Sequence, residues 1–253
     1  MKMFGAGVLV ATGLLDANGA VISPTTPSPF GILQDVTLDF EYEHKPLYGE
    51  NSFPVAIGRG TGKVSGKAKS ANIFASLFNN VFFGQTLAAG FFATYKDSTG
   101  TLIPATPFQI TPTPPSSGTW DSDMGVVDSN GHIMKHVSGT PATGEYSVSA
   151  GVYTFASADN VSGLTVFINY RYTATVTGAQ KSTIANLPMG YSPSVQIDLS
   201  VSYAGKFLSW RLPNAISPKM SFQFKNNDWT IPDYNFDCFS DSLNNIAYYS
   251  LSN

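Results

Sequence analysis

The 253-residue chain is long enough for one large β domain or two smaller domains, each with its own core. Charged residues make up 12% of it, about half of the roughly 25% that is typical of soluble domains. A net charge of -3 argues against a general nucleic-acid coat, which needs a basic excess. The single cysteine, Cys238, excludes an intrachain disulfide and a thiolate metal cluster. Because so much uncharged surface would face water in a monomer, we expect it to be buried between subunits.

The N-terminal residues predict a β-hairpin. Asn18-Gly19 lies between two apolar runs in LLDANGAVI, which is typical of a tight hairpin turn. Lys2 followed by an apolar run superficially resembles a signal peptide, but Gly5 and Gly7 interrupt that run, and we expect no signal peptide. No run reaches the roughly 18 consecutive apolar residues of a transmembrane helix, so we expect no membrane partner.

Alternation of apolar and polar residues dominates the rest of the chain and predicts strands that are buried on one face. In DVTLDFEYE (35–43) the face opposite the apolar residues is acidic, and it carries Asp35, Asp39, Glu41 and Glu43. The same alternation recurs in four further segments: VFINYRY (166–172), SVQIDLSVSY (194–203), MSFQF (220–224) and YNF (234–236).

One segment departs from alternation. In SANIFASLFNNVFFG (70–84) the large apolar residues recur at helical spacing, with Ser70 as a candidate N-cap and Gly84 as the stop. We therefore expect one α-helix over about 71–83, flanking the β structure.

A change of composition near Thr99 indicates a second domain. A stretch rich in proline, serine and threonine is followed by short strands with frequent turns up to about Thr177. We expect residues 1–98 and 181–253 to form a β core domain, and residues 99–180 to form an inserted, small immunoglobulin-like β-sandwich. The predicted fold class is mainly β, of the sandwich or barrel-forming kind.

The stretch IGRGTGKVSGKAK (57–69) is rich in glycine and basic residues, as phosphate-binding loops are. The Walker pattern fails, however, because Thr61 stands where its first glycine belongs and Ala68 where its hydroxyl residue belongs. Position parity favours a strand instead: glycines occupy even positions, and odd positions carry the basic residues Arg59, Lys63, Lys67 and Lys69.

We expect this basic strand to pair with the acidic strand 35–43 in a long antiparallel hairpin, with roughly 0.2–1 kcal/mol from each pair of opposite charges. The predicted register places Arg59 opposite Asp39 and Lys63 opposite Asp35. The glycine face would leave room for Phe40 and Tyr42, or for a neighbouring element. The candidate residues for pairing between strands or subunits are the charged residues of both strands: Asp35, Asp39, Glu41, Glu43, Arg59, Lys63, Lys67 and Lys69.

Catalytic and ligand-binding patterns are not evident in the sequence. His132 and His136 are four residues apart, but Ile133 replaces the glutamate of the zinc-protease pattern, and we interpret both as packed or solvated. Three histidines, one cysteine and no Gly-x-Ser-x-Gly motif give no hydrolase pattern. We therefore expect a protein that is not an enzyme and that holds neither a cofactor nor a metal.

Three segments resemble the tail tube (major tail) protein family of tailed bacteriophages. The first, residues 30–84, contains LYGENSFPVAIGRGTGKVSGKAK and then a helical segment ending in VFFG. The second is GEYSVSAGVYTFASAD (144–159). The third runs from MGYSPSVQIDLSVSYAGKF to the terminal NNIAYYSLSN (189–253). The resemblance therefore spans most of the chain.

The resemblance implies a β-sandwich with one flanking helix, assembled as hexameric rings. Inner sheets of the subunits would join into a barrel around a channel, and the rings would stack into the tube that passes the genome. Residues 99–180 would project outward. The implied partners are further copies of the chain, other phage tail proteins, and viral DNA that passes through the lumen without sequence-specific binding. The implied location is the virion, after assembly in the bacterial cytoplasm.

A channel that carries DNA should attract phosphate weakly at most, because each neutralised phosphate adds affinity and would stall passage. We therefore expect acidic or neutral residues to line it. Two other classes stay open: another virion protein, such as a capsid, decoration or tail-terminator protein, and a secreted carbohydrate-binding or enzymatic β-protein. The second would bind its ligand through Trp120, Trp210 or Trp229.

Overall fold

The computed structural model describes residues 2–252, which fold mainly into antiparallel β-sheets. Residues 2–87 and 182–252 form one compact unit, and residues 88–181, inserted between them, form a second. Within the described residues, no helix is both long and apolar enough to cross a membrane.

The strands are numbered in chain order: β1 (Val8–Leu15), β2 (Pro27–Pro29), β3 (Leu33–Tyr48), β4 (Pro54–Ser70), β5 (Ala88–Ala89), β6 (Phe91–Tyr95), β7 (Thr101–Leu102), β8 (Gln109–Ile110), β9 (Thr119–Asp128), β10 (Lys135–His136), β11 (Glu145–Ser149), β12 (Val152–Phe155), β13 (Thr165–Ala174), β14 (Gln180–Lys181), β15 (Ser194–Tyr203), β16 (Lys206–Ser221), β17 (Asp233–Cys238) and β18 (Tyr248–Leu251). The helices are α1 (Ala75–Phe78) and α2 (Ser157–Val161). A π-helical turn (Asn79–Phe83) continues α1, and a 3-10 turn spans Pro115–Ser117.

The first unit contains an eight-stranded sheet with the order β2-β1-β15-β16-β17-β4-β3, in which β18 also pairs with β16. Strand β15 takes one edge of β16, so β17 and β18 lie end to end along the other. Alternation places the apolar side chains of these strands on one face, where Leu77 and Val81 of the helical segment complete the buried core.

The strands expected from alternation in this unit are confirmed, with one exception. Strand β15 spans residues 194–203, and Tyr234 and Phe236 alternate into the core from β17. The segment 220–224 was expected to continue as a strand, but β16 ends at Ser221. Phe222 lies in the following loop, where its ring packs edge-on against Phe78 of α1, with centroids 5.0 Å apart.

The expected helix over 71–83 is shorter and less regular than predicted. Ser70 is not its N-cap; it ends β4, and its buried hydroxyl donates to the backbone carbonyl of Phe30. The helix therefore starts at Ala75, and the backbone N–H of Gly84 reaches the carbonyl of Asn79 at 2.5 Å, five residues back, which gives a π turn. Gly84 is confirmed as the stop, because it adopts a left-handed conformation (φ 57°).

The second unit is a small β-sandwich. One four-stranded sheet has the order β10-β11-β12-β8, and the other is built on β13, which pairs with β6, β7 and β9. Both sheets contribute buried side chains to a single core, which includes Tyr146, Tyr153, Tyr170, Val126 and Ile168. The carboxylate of Asp123 accepts hydrogen bonds from the hydroxyls of Tyr146 and Tyr153, and so ties the two sheets together.

The boundary between the units lies before residue 88, whereas the change of composition placed it near residue 99. The difference arises because β6 precedes the proline-rich stretch and yet pairs with β13 along five residues, from Phe91 to Tyr95. A second helix, α2, also lies in this unit and was not expected from the sequence, since its five residues are too few to show a helical period.

A buried hydroxyl in the first unit yields a stability prediction. The Tyr234 side chain is fully buried, its hydroxyl finds no hydrogen-bond partner among residues 2–252, and burial raises its pKa. Replacing Tyr234→Phe keeps the ring contact with Phe30, at 5.1 Å between centroids, and removes the unsatisfied group. We expect the free energy of unfolding to rise by about 1 kcal/mol, measured by urea denaturation.

The matched control is Tyr153→Phe in the second unit. The Tyr153 hydroxyl donates to Asp123 at 3.0 Å and accepts from the indole N–H of Trp120 at 3.2 Å. Its loss should lower the free energy of unfolding by about 1–2 kcal/mol, because the half-buried Trp120 N–H loses its acceptor and Asp123 loses one of its two tyrosine donors. Equal destabilisation by the two changes would contradict the assignment of Tyr234.

Asp97 yields a prediction for pH dependence. Burial alone would raise the pKa of this carboxyl, but N–H groups of Gly100, Thr99 and Ile168 donate to it and hold the pKa below its ordinary value. A carboxyl whose pKa is lowered by folding stabilises the fold above its unfolded pKa, and this contribution disappears as the pH falls through the folded pKa. The advantage of the wild type over Asp97→Asn should therefore be full near pH 6 and shrink below about pH 4. Denaturation at a series of pH values measures it, and a constant difference down to about pH 2.5 would refute it.

Candidate assembly surface

Strands β3 and β4 form the long antiparallel hairpin that the sequence predicted. Its register differs from the prediction: Arg59 lies opposite His44, and Lys63 lies opposite Glu41. The predicted pairs, Arg59 with Asp39 and Lys63 with Asp35, centre the turn near Gly49. In the structure the pairing continues to Tyr48 and Pro54, which moves the turn towards residue 52 and shifts the register.

The acidic partners of the β4 lysines lie on β17, not on β3. Lys63 contacts Asp237 at 3.2 Å and Lys67 contacts Asp233 at 3.0 Å. The sequence analysis missed Asp233 and Asp237, although the alternation around Tyr234 and Phe236 places them on the polar face. The basic stretch 57–69 thus finds acidic partners within its own chain.

The acids of β3 are exposed, and most lack a cationic partner. Within residues 2–252, no ion pair closer than 4 Å involves Asp35, Asp39 or Glu41. Lys69 lies opposite Asp35 in the register but forms no such pair in that range. Glu43 differs, because Lys45 lies 3.0 Å from it and the Thr61 hydroxyl also donates to it, and these contacts lower its pKa.

The face of the sheet opposite the core is polar, and charged side chains from five of its strands lie on it. Cross-strand partners place six acidic and five basic side chains on it, a net charge of one negative. The acids are Asp35, Asp39, Glu41, Asp198, Asp233 and Asp237, and the bases are Lys63, Lys67, Lys69, Arg211 and Lys219.

The glycines of β4 make room for aromatic rings, as their parity suggested. A Cβ at Gly62 would lie 2.8 Å from the Tyr42 ring, and one at Gly66 would overlap the Phe236 ring and lie 2.9 Å from the carbonyl of Thr37. The Arg59 guanidinium lies over the Tyr42 ring, 3.6 Å from its centroid, in a cation–π contact. At Gly62 and Gly66, the lack of a side chain therefore allows an aromatic ring to approach the strand.

The far end of the hairpin extends beyond the rest of the sheet. Strand β17 pairs with β4 only from Val64 to Lys69, so within the described residues Pro54–Lys63 pair with β3 alone. Between Pro46 and Gly58 the sequence carries a single charge, Glu50. We call residues 46–58 the hairpin end. Its large apolar side chains are 60–82% exposed: Leu47, Tyr48, Phe53, Val55 and Ile57.

Other residues that the sequence singled out lie apart from this hairpin or in the second unit. The ring of His132 contacts Asp128 at 3.2 Å within a turn, and His136 packs against the Tyr146 ring. No cluster of metal-ligating side chains is found in residues 2–252. Trp120 is half-buried, whereas Trp229 is 87% exposed.

Comparison of the sequence with protein-family models gives no match, and comparison with curated proteins gives none. What the chain does is therefore inferred from its own residues and from the resemblance of its motifs. The feature that calls for a partner is the hairpin end, since it exposes five large apolar side chains on a two-stranded ribbon.

The glycine contacts give a prediction with a matched control. Gly66→Ala should lower the free energy of unfolding by about 1–3 kcal/mol, because the new methyl group meets the buried Phe236 ring and a backbone carbonyl. Gly58→Ala on the same strand should change it by less than about 0.5 kcal/mol, since the nearest atom to its Cβ is 3.8 Å away. Urea denaturation of both variants measures the difference, and equal effects would refute the proposed role of Gly66.

Proposed function

We propose that the chain is a structural subunit of a phage tail tube, which assembles into stacked rings and performs no catalysis. The hairpin end is the observation that carries this proposal. A two-stranded ribbon is marginally stable in water by itself, and this one exposes five large apolar side chains. Contact with another subunit would bury these side chains and supply the packing that the ribbon lacks.

The low charge of the chain supports the same proposal. Only 12% of the residues are charged, so the surface has few groups that oppose association. The motifs that resemble tail tube proteins include the hairpin itself, and the fold is mainly β as that resemblance implies. The hexameric ring, the phage partners and the virion location follow from the resemblance and form part of the proposal.

We assign the polar face of the sheet to the channel wall. Its net charge is one negative, and its lysines at 63 and 67 are already matched by aspartates. Such a surface offers little net attraction to phosphate, so DNA could pass without being held. A tube structure with unmatched lysine and arginine side chains around the lumen would contradict this assignment.

The proposal is tested by electron microscopy and sedimentation of the purified protein. We expect the wild type to form rings or tubes. Phe53→Asp places a charge in the hairpin end at a side chain that is 82% exposed, so the subunit should fold and yet fail to assemble. Loss of one such contact should raise the concentration needed for assembly by about tenfold or more.

The matched control is Phe92→Asp in the second unit, where the side chain is 62% exposed. This variant changes charge in the same way and should still assemble. A wild-type protein that remains monomeric at every concentration tested would refute the proposed function. Equal loss of assembly in both variants would show that charge alone, and not the hairpin end, is responsible.

A further inference from the structure

The dipeptide Asn-Gly occurs twice in the chain, each time within a tight turn. The turns span residues 16–20 and 128–132, and Asn18-Gly19 and Asn130-Gly131 take the same positions in them. In such a pair the backbone nitrogen of the glycine can attack the side-chain carbonyl carbon of the asparagine, because glycine has no side chain to hinder the approach. Both turns are therefore candidate sites of a chemical modification.

The two turns share one pattern of local hydrogen bonds. The Asp16 carboxylate accepts the N–H groups two and four residues ahead, at 2.8 and 2.9 Å, and the Asp128 carboxylate accepts the corresponding groups, both at 2.8 Å. The glycine N–H donates to the backbone carbonyl of that aspartate, at 3.1 Å for Gly19 and 3.0 Å for Gly131. The attacking nitrogen is therefore held in both turns, and the reaction requires the turn to open.

Each turn also has one anchor to a distant part of the chain. The N–H of Ala17 donates to the carbonyl of Gly84 at 3.0 Å, and that of Ser129 donates to the carbonyl of Thr165 at 2.8 Å. Backbone hydrogen bonds therefore do not distinguish the two turns. A difference in how readily they open must come from side-chain packing.

Side-chain packing covers the first turn and leaves the second bare. Ala17 is 6% exposed, and a Cβ at Gly19 would lie 2.5 Å from the Tyr191 ring, so this ring covers the glycine. Residues 129–131 are exposed, and a Cβ at Gly131 would meet no other part of residues 2–252 within 4 Å. Opening the first turn thus exposes apolar groups to water, whereas opening the second exposes none of this kind.

We infer that Asn130 is a site of spontaneous deamidation and that the cover over Gly19 protects Asn18. The Gly131 nitrogen gives up its proton and bonds to the side-chain carbonyl carbon of Asn130, and the side-chain amide nitrogen leaves as ammonia. Water then opens the cyclic imide at either carbonyl, which gives aspartate or isoaspartate. The chemistry needs only water, and it does not depend on the proposed function.

The modification changes the second unit at one defined turn. It adds a negative charge two residues from Asp128, and the isoaspartyl product also adds a carbon atom to the backbone. The added atom displaces the N–H groups that the Asp128 carboxylate accepts. Deamidation therefore loosens this turn of the second unit as the protein ages.

Peptide mapping by mass spectrometry tests the modification on the full chain. The folded protein is kept in mildly alkaline buffer and sampled over weeks, beside a sample unfolded in urea. In urea Asn18 and Asn130 should react at similar rates, since both precede glycine. In the folded protein Asn130 should react at least about fivefold faster, because opening the first turn also exposes the Ala17 methyl group and part of the Tyr191 ring.

Tyr191→Ala checks the cause of the protection. Tyr191 is 70% exposed, so the variant should fold, which circular dichroism verifies. Removal of the ring uncovers Gly19 and should raise the reaction rate of Asn18 by at least about threefold, with that of Asn130 unchanged. The matched control is Tyr249→Ala, which removes another exposed ring and should change neither rate.

A smaller ratio between the two asparagines in the folded wild type would overturn the inference. So would an Asn130 that stays intact for the time in which the urea-unfolded chain reacts completely. An unchanged rate at Asn18 in Tyr191→Ala would overturn the assignment of its protection to this ring.

Discussion

The pairing of β4 with β17 is the constraint on which the rest of the first unit depends. It fixes the hairpin to the sheet, and it leaves the hairpin end without further strands because β17 is short. Two kinds of contact hold it. The pairs of Lys63 and Lys67 with aspartates are partly exposed, and such ion pairs contribute about 0–1 kcal/mol each. Burial of a ring such as that of Phe236, which is 1% exposed, contributes about 1.5–3 kcal/mol.

These magnitudes explain why charge was a poor guide to the register. The sequence offered two acidic strands to the lysines, and opposite charges alone could not choose between them. The choice is made by ring packing: Gly66 has no side chain, so Phe236 can lie against β4 at that level, and the neighbouring aspartates are then brought to the lysines. Parity identified the two faces of residues 62–69 correctly, because alternation within one strand sets them. Beyond the bulge between Tyr42 and His44 it failed, and Arg59 lies over the Tyr42 ring.

Features that depend on neighbouring residues could be predicted from the sequence, whereas features that depend on distant contacts could not. The strands with clean alternation, the turn at Asn18-Gly19 and the helix stop at Gly84 depend on nearby residues, and all of them are present. The start of the helix and the boundary between the units depend on distant contacts: Ser70 bonds to Phe30 and Pro232, and residues 91–95 pair with β13.

Two prolines in the hairpin end bear on how a free subunit would behave. Pro46 lies opposite Ile57 and Pro54 opposite Tyr48, and neither offers a backbone N–H to a further strand. An apolar ribbon with complete backbone edges would be a template for aggregation with unrelated chains, and proline is one of the residues that natural sheets use against it. Newly made subunits could therefore accumulate in solution with this surface exposed. Selection of a partner would then rest more on the fit of side chains, because the two prolines remove backbone donors from this part of the ribbon.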